Sequence, residues 1–311
     1  MGKSIIHQDK LRKLAEPGAK ITTIGPVRVC FDPKYIIGTG SGGTAVYVGL
    51  HEDGSEVAVK RVVINRNEQL NKHMKEKEIL LHVEGSKHIV NYRHFEYKEP
   101  FSFLILDLCE ETLEDYVNAH DEEYLKRHGP VIIREILTGL SVLHGQKKKI
   151  LHLDLKPQNI LVDSEGHMRL ADFGISRILN EEDTTLETGQ MGTRGWMAAE
   201  SMAKKGSIAK FKKSDVQVAG MISFYILTRG EHPFGDVHYR SPNIIDGNPV
   251  NLGQLSDSLA RDFVAWLISH DIKDRPYAKE ALKHPFLQMN PGNYYFRCVF
   301  LYSNLSKTAL V

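Results

Sequence analysis

Within ILHLDLKPQNILV (150–162), His152, Asp154, Lys156 and Asn159 crowd into eight positions between two apolar runs. A carboxylate at Asp154 can orient an attacking hydroxyl and take its proton. A lysine two residues on, Lys156, can neutralise a transferring phosphoryl group. The amide oxygen of Asn159 can hold Mg²⁺. Further along, LADFGIS supplies a second oxygen ligand, Asp172, and a glycine, Gly174, that permits the turn after it. Magnesium takes a few oxygen ligands and the phosphates of a nucleotide, so one Asn and one Asp suffice. Separately these residues read as turn formers; together they read as a phosphoryl-transfer site.

Two upstream motifs fit that chemistry. VAVK puts Lys60 inside an apolar strand, where an ammonium is costly unless paired. Its expected partner is Glu78 on the next helix, placed inward with Leu70, Met74 and Leu81, with Glu76 as runner-up. The bland alternative is a lysine snorkelling from a strand edge. GTGSGGTAV spaces Gly38, Gly40 and Gly43 as G-x-G-x-x-G. Glycines let backbone amides approach phosphates that a Cβ would push away. The strand-like run TAVYVGL follows, which disfavours the strand–glycine–helix turn of a dinucleotide fold.

These groups need elements to position them. Residues 1–26 are polar and interrupted by Gly and Pro, and are expected to be a loose leader. From 27 to 106 short β-rich runs dominate: YIIGTG, TAVYVGL and SEVAVKRVV, with EDGS as a hairpin turn. One helix, EQLNKHMKEKEILLHV, interrupts them. From 107 to 287 helical patterns take over. Thr112 is expected as an N-cap with Asp115 three residues on. VIIREILTGLSVLH, SDVQVAGMISFYILT, SLARDFVAWLIS and AKEALKHPFL read as helices. Glu200 is expected to pair with Arg275, and Asp215 to cap the backbone of the catalytic loop. Strands first and helices later imply an α+β protein of two lobes with a hinge near Asp107–Cys109. Residues 288–311 are expected to be a short tail.

Composition agrees with a soluble globule. The 311 residues are 41% hydrophobic and 25% charged, with a formal net charge of +1. No global field points to nucleic acid or to an anionic membrane, and direct nucleic-acid binding is not expected. Three widely spaced cysteines suggest neither a disulfide framework nor a zinc site, which indicates a reducing, cytoplasmic location. There is no signal-peptide core, and the longest apolar stretch is too short to span a bilayer.

Residues of about 27–287 resemble a eukaryotic protein kinase domain. Within that superfamily the chain looks most like the kinase module of the unfolded-protein-response kinase/endoribonucleases, the inositol-requiring kinases, and their relative ribonuclease L. The residues that carry this are IIGTGSGGTAVYVG, VAVKRV, LDLCEETLEDYV and GTRGWMAAE. The resemblance implies an ATP- and Mg²⁺-dependent Ser/Thr protein kinase acting on a protein substrate or on itself, in stress-like signalling. It implies Asp154 as base with Lys156, Lys60 and Glu78 as further catalytic groups, and Asn159 and Asp172 as metal ligands. Gly38, Thr39, Gly40, Ser41, Gly42 and Gly43 would cover the phosphates. Leu106 would be the gatekeeper, Asp107 and Cys109 the hinge, and Val46, Ala58 and Leu161 the walls around the base. It also implies a dimer, with itself or with a related kinase. The competing reading is a nucleotide-binding pseudokinase or scaffold acting through dimerisation.

Four departures from the pattern matter. Leu153 stands where the stress sensors usually carry arginine, which ribonuclease L also lacks; Ala198–Ala199–Glu200 replaces Ala-Pro-Glu; too few residues follow HPF for the family's helical ribonuclease domain, so no ribonuclease activity is expected; and no luminal sensor or membrane span is expected. Leucine removes a charge beside the catalytic aspartate but none of the transfer groups. The expectation is activity that needs no phosphate on the segment 175–191, which offers Ser176, Thr184, Thr185 and Thr188 beside Glu181–Asp183.

Overall fold

The computed structural model describes residues 3–16, 18, 20–40, 43–147, 149–179, 185–188, 192–202 and 208–288. Of the residues singled out above, Ser41, Gly42, Glu181–Asp183, Thr184 and the tail from 289 lie outside that set.

The β-rich runs form one antiparallel sheet. Its strands are β1 (Thr22–Ile24), β2 (Val27–Val29), β3 (Ile36–Thr39), β4 (Ala45–His51), β5 (Glu56–Val63), β6 (Tyr92–Lys98) and β7 (Phe101–Asp107), in the order β1-β2-β4-β5-β7-β6, with β3 also paired to β4. The EDGS turn closes the β4–β5 hairpin. His51 donates its amide to the Ser55 carbonyl at 2.9 Å, and Gly54 takes φ +84°, which a side chain would strain. Register sets Lys60 opposite Val46 on one side and Leu104 on the other.

The described residues among the first 26 are not a loose leader. A helix, α1 (Gln8–Ala15), buries Leu11 and Leu14 and packs on β4, and β1 and β2 extend the sheet. Polar bonds fix the segment as well. The amides of Ile5 and Ile6 and the hydroxyl of Ser4 all donate to the carboxylate of Glu110, at 2.7 to 3.1 Å, and the Ser4 amide donates to Glu56. Leu11 and Leu14 stand one helical turn apart on a face that the polar composition of the segment masks.

The helix after β5 is α2 (Asn67–His82), packed on β6 and β7. Beyond β7 the chain turns helical. α3 (Leu113–Ala119) starts at the expected capping box, with the Thr112 hydroxyl accepting from the Asp115 amide at 3.1 Å. α4 (Glu122–Gly145) starts nine residues before its apolar run, because Asp121 caps it by accepting from the Tyr124 amide at 2.7 Å. Pro130 lies inside it. Two short sheets follow: β8 (Glu111–Thr112) with β10 (Ile160–Val162) and β11 (Met168–Leu170), and β9 (Lys149–Leu151) with β12 (Arg177–Leu179). They hold the two loops that carry Asp154 and Asp172. β13 (Thr185–Thr188) pairs with β14 (Ile208–Phe211). The remaining helices are α5 (Ala199–Met202), α6 (Lys212–Leu227), α7 (Val237–Asp246), α8 (Ser258–Leu267), α9 (Ala278–Ala281) and α10 (Pro285–Gln288). The expected single helix at AKEALKHPFL is thus two short ones. An antiparallel sheet with α1 and α2 on it, followed by a mainly helical body, is the expected two-lobed α+β architecture.

Candidate active site

Asp154 and Asn159 sit on the loop between β9 and β10, and Asp172 on the loop after β11. Both loops need unusual backbone. Leu153 has φ +66° and Asp172 φ +61°, each a left-handed conformation that costs a non-glycine residue about 1–2 kcal/mol. The anchor is Asp215, near the start of α6 and 2% exposed. Its carboxylate accepts from the amides of His152 (2.9 Å) and Leu153 (3.0 Å) and from His144 Nε2 (2.9 Å). Burial opposes its charge, but these donors hold its pKa below the ordinary value. Asp215 therefore caps the loop as the sequence suggests; the third donor, His144, is not signalled by any motif. The expected Glu200–Arg275 pair also forms, bidentate at 2.9 and 3.0 Å around a fully buried guanidinium.

On that frame the reactive groups converge. Asp154 Oδ1 accepts from Thr193 Oγ1 at 2.7 Å, and its Oδ2 lies 3.2 Å from Lys156 Nζ. Lys156 also donates to Thr193 Oγ1 at 2.7 Å. Asn159 spends its amide nitrogen on Asp154, at 2.8 Å to the carbonyl and 3.0 Å to Oδ2, which leaves its oxygen as the atom for a cation. Thr193 is a further member of this cluster; only its place in GTRG signals it.

Lys60 reaches into the same region. Its Nζ lies 2.8 and 2.9 Å from the two oxygens of Glu76 and 2.9 Å from Asp172 Oδ1. Burial works against the ammonium, but the two carboxylates outweigh it and hold the Lys60 pKa above its usual value. In return the charge of Lys60 pulls Asp172 down to about 2. The partner of Lys60 is therefore Glu76, 2% exposed, and not Glu78, which faces solvent. Met74 (43% exposed) and Leu81 (45%) face outward too. The buried face of α2 runs through His73, Glu76, Ile79 and Leu80, at helical i, i+3 and i+7 spacing. Its first half is polar, so apolar residues mark the wrong side.

The glycine stretch runs from β3 toward β4. Gly38 pairs with Val46 and Thr39 with Ala45, the Gly40 amide donates to the Thr44 carbonyl at 2.9 Å, and Gly43 takes φ +80°. Ala58 and Leu106 are neighbours across β5 and β7, and Leu161 lies on β10. The carboxylate of Asp107 is spent on Asn91 (2.8 Å) and Arg93 (2.6 Å), and its amide donates to the Asn91 carbonyl at 3.1 Å. Cys109 is buried, which pushes its thiol up to about 12 and makes it inert as a nucleophile.

Leu153 packs with Leu151, Leu179 and Ile175 in a small apolar cluster of its own. Ser176 is fully buried and donates to the His152 carbonyl at 2.8 Å, so it is a strut of the loop rather than an open phosphate acceptor.

A family model described as protein kinase domain matches residues 31–287 of the chain. The chain is 34% identical over 286 residues to a human serine/threonine-protein kinase/endoribonuclease, IRE2, covering 88% of this chain and 30% of that protein. It is 34% identical over 276 residues to the ire-1 kinase/endoribonuclease of Caenorhabditis elegans, covering 83% and 27%. It is 33% identical over 274 residues to the IRE1 kinase/endoribonuclease of Oryza sativa subsp. japonica, covering 80% and 29%. The chain spans less than a third of the length of these relatives.

Proposed function

The chain belongs to the protein kinase family, and from that premise we propose that it transfers the γ-phosphoryl group of ATP to a serine or threonine hydroxyl of a protein or of itself. The observation that carries this is Lys60, whose ammonium holds Glu76 and Asp172 together beside an Asp154 fixed by Thr193 and Lys156. The substrate oxygen forms a bond to Pγ as the bond from Pγ to the bridging oxygen of ADP breaks. Asp154 takes the hydroxyl proton. Lys156 steadies charge on the moving phosphoryl group, and Lys60 orients the phosphates it follows. The glycine turn of Gly38, Gly40 and Gly43 would cover the same phosphates, and Val46, Ala58, Leu106 and Leu161 would form the apolar walls for the base.

The oxygen donors Asn159 and Asp172 suit a hard cation, and among the described residues no cluster of three or more His, Cys, Asp or Glu offers another metal site. These two residues would hold Mg²⁺, which when bound neutralises phosphate charge. A role in stress signalling, and pairing with a related kinase, rest on the likeness to the relatives named above. The test is transfer of labelled γ-phosphate to the chain itself and to a generic basic protein, with Asp172→Asn as control. Incorporation that the variant loses supports the reading. Equal background incorporation by both, with nucleotide still bound, makes the chain a nucleotide-binding scaffold instead.

A further inference from the structure

Before Ile79, α2 buries only two side chains, and both are polar: His73 and Glu76. Apolar contact holds the later turns through Ile79, Leu80 and Val83. The turns that carry Glu76 have no such grip. Glu76 is tied to Lys60, a residue that must also serve a nucleotide. His73, 3% exposed, is tied elsewhere: its Nδ1 lies 2.6 Å from Ser102 Oγ on β7, a residue with no exposed surface. The ring stands edge-on to Phe95 of β6, with centroids 5.9 Å apart. Its Nε2 is buried without a hydrogen-bond partner and lies 4.0 Å from Glu76 Oε2.

We propose that His73 is a positioning residue for phosphoryl transfer: its hydrogen bond to Ser102 pins the first turns of α2 to β7 and so keeps Glu76 at Lys60. Burial and the charge of Lys60 hold the His73 pKa near 3, so the ring is neutral and carries one N–H. A lone pair on Nε2 would face the Glu76 carboxylate and repel it. The N–H therefore sits on Nε2, where it favours the carboxylate, and the Ser102 hydroxyl donates to Nδ1. The bond is a strut independent of Lys60. When Lys60 shifts toward phosphate, the strut remains.

The kinetic part of this inference rests on the phosphotransfer reading above; the structural part does not. Three variants test it. His73→Phe keeps the ring and its contact with Phe95 but loses the bond; Ser102→Ala loses the same bond from the other side; His73→Asn places an acceptor where Nδ1 was. Amide hydrogen exchange across 67–78 should quicken in the first two relative to 79–83, and return toward wild type in the third. His73→Phe should lower kcat by about tenfold, and in a Glu76→Gln background it should lower it no further, since His73 acts through Glu76. Independent, multiplying losses in that background would make the role merely structural and overturn the proposal. So would unchanged exchange in both His73→Phe and Ser102→Ala. If wild type transfers no phosphate, the phosphotransfer reading fails, and the exchange measurements alone decide the fate of the strut.

Discussion

Two helices of sixteen residues each bring one carboxylate to the candidate site, and they do it in opposite ways. α6 buries fourteen of its residues and carries Asp215. α2 buries four and carries Glu76. Asp215 gathers three donors from two elements and fixes backbone. Glu76 meets one lysine, which also holds Asp172, and the backbone of Phe173. One helix is part of the core and sets a frame; the other lies on a sheet by polar contacts over its first half and sets a state. Stability should therefore depend on α6, and rate on α2.

The largest effect expected is on rate. Lys60→Met keeps packing volume but removes the charge that joins Glu76 to Asp172, and should lower kcat by about 10³-fold with the fold retained. Transfer assays alongside a circular dichroism melt would check both halves. Wild-type activity in this variant would sink the assignment of Lys60. The matching test on the frame is Asp215→Ala, which strands the His144 ring nitrogen and two loop amides. With each buried orphan costing about 1–3 kcal/mol, the loss of stability in urea should reach at least about 3 kcal/mol. Glu76→Gln should cost less than about 1 kcal/mol in the same titration, because the amide keeps shape and hydrogen-bonding capacity. A fold that tolerates Asp215→Ala but fails with Glu76→Gln would reverse the comparison.

A smaller effect concerns Leu153. Its apolar cluster replaces a charge that a segment phosphate would otherwise neutralise, so phosphatase treatment should change wild-type turnover by less than about twofold. Leu153→Arg should make turnover more sensitive to the same treatment. A large loss on dephosphorylating wild type would show that another cation, Arg177 or Arg194, serves the phosphate. The smallest effect lies on the surface of the frame. The hydrogen bond from His167 to Glu135 of α4 raises the His167 pKa above 6.5. A raised pKa stabilises the fold below the ordinary value, and that stability is lost as pH rises through the folded value. His167 is about half exposed, so Glu135→Gln should remove only about 0.3 kcal/mol, seen at low pH and absent at high pH in paired denaturation curves.

The convergence of the two candidate loops is legible because their motifs are local: Asp154, Lys156 and Asn159 lie within six positions, and Asp172 and Gly174 within three. The strands carrying Lys60 and the glycines were legible from β-branched runs. Long-range anchors were legible where a motif marked them, as with Asp215 and with Glu200–Arg275. The partner of Lys60 was misread for a physical reason. Hydrophobic phase assumes that the buried face of a helix is apolar, and on the first half of α2 that face is His73 and Glu76. The leader was misread similarly. Short strands and a two-leucine helix leave little signal among Lys, Glu and Gly, and their docking depends on Glu56 and Glu110, far away in the chain. Ser176 looked open because nothing in its neighbours announces its bond to the His152 carbonyl.

The distance between Ser4 and Glu110 has a meaning for synthesis. The hydrogen bonds that seat the first turn span 104 to 106 residues. On the ribosome, at about 5–20 residues per second, roughly 5–20 s pass between the making of Ser4 and that of the carboxylate that holds it. Leu11 and Leu14 can find β4 much sooner. The beginning of this segment is thus made first and seated late, after the sheet it rests on and the turn that receives it.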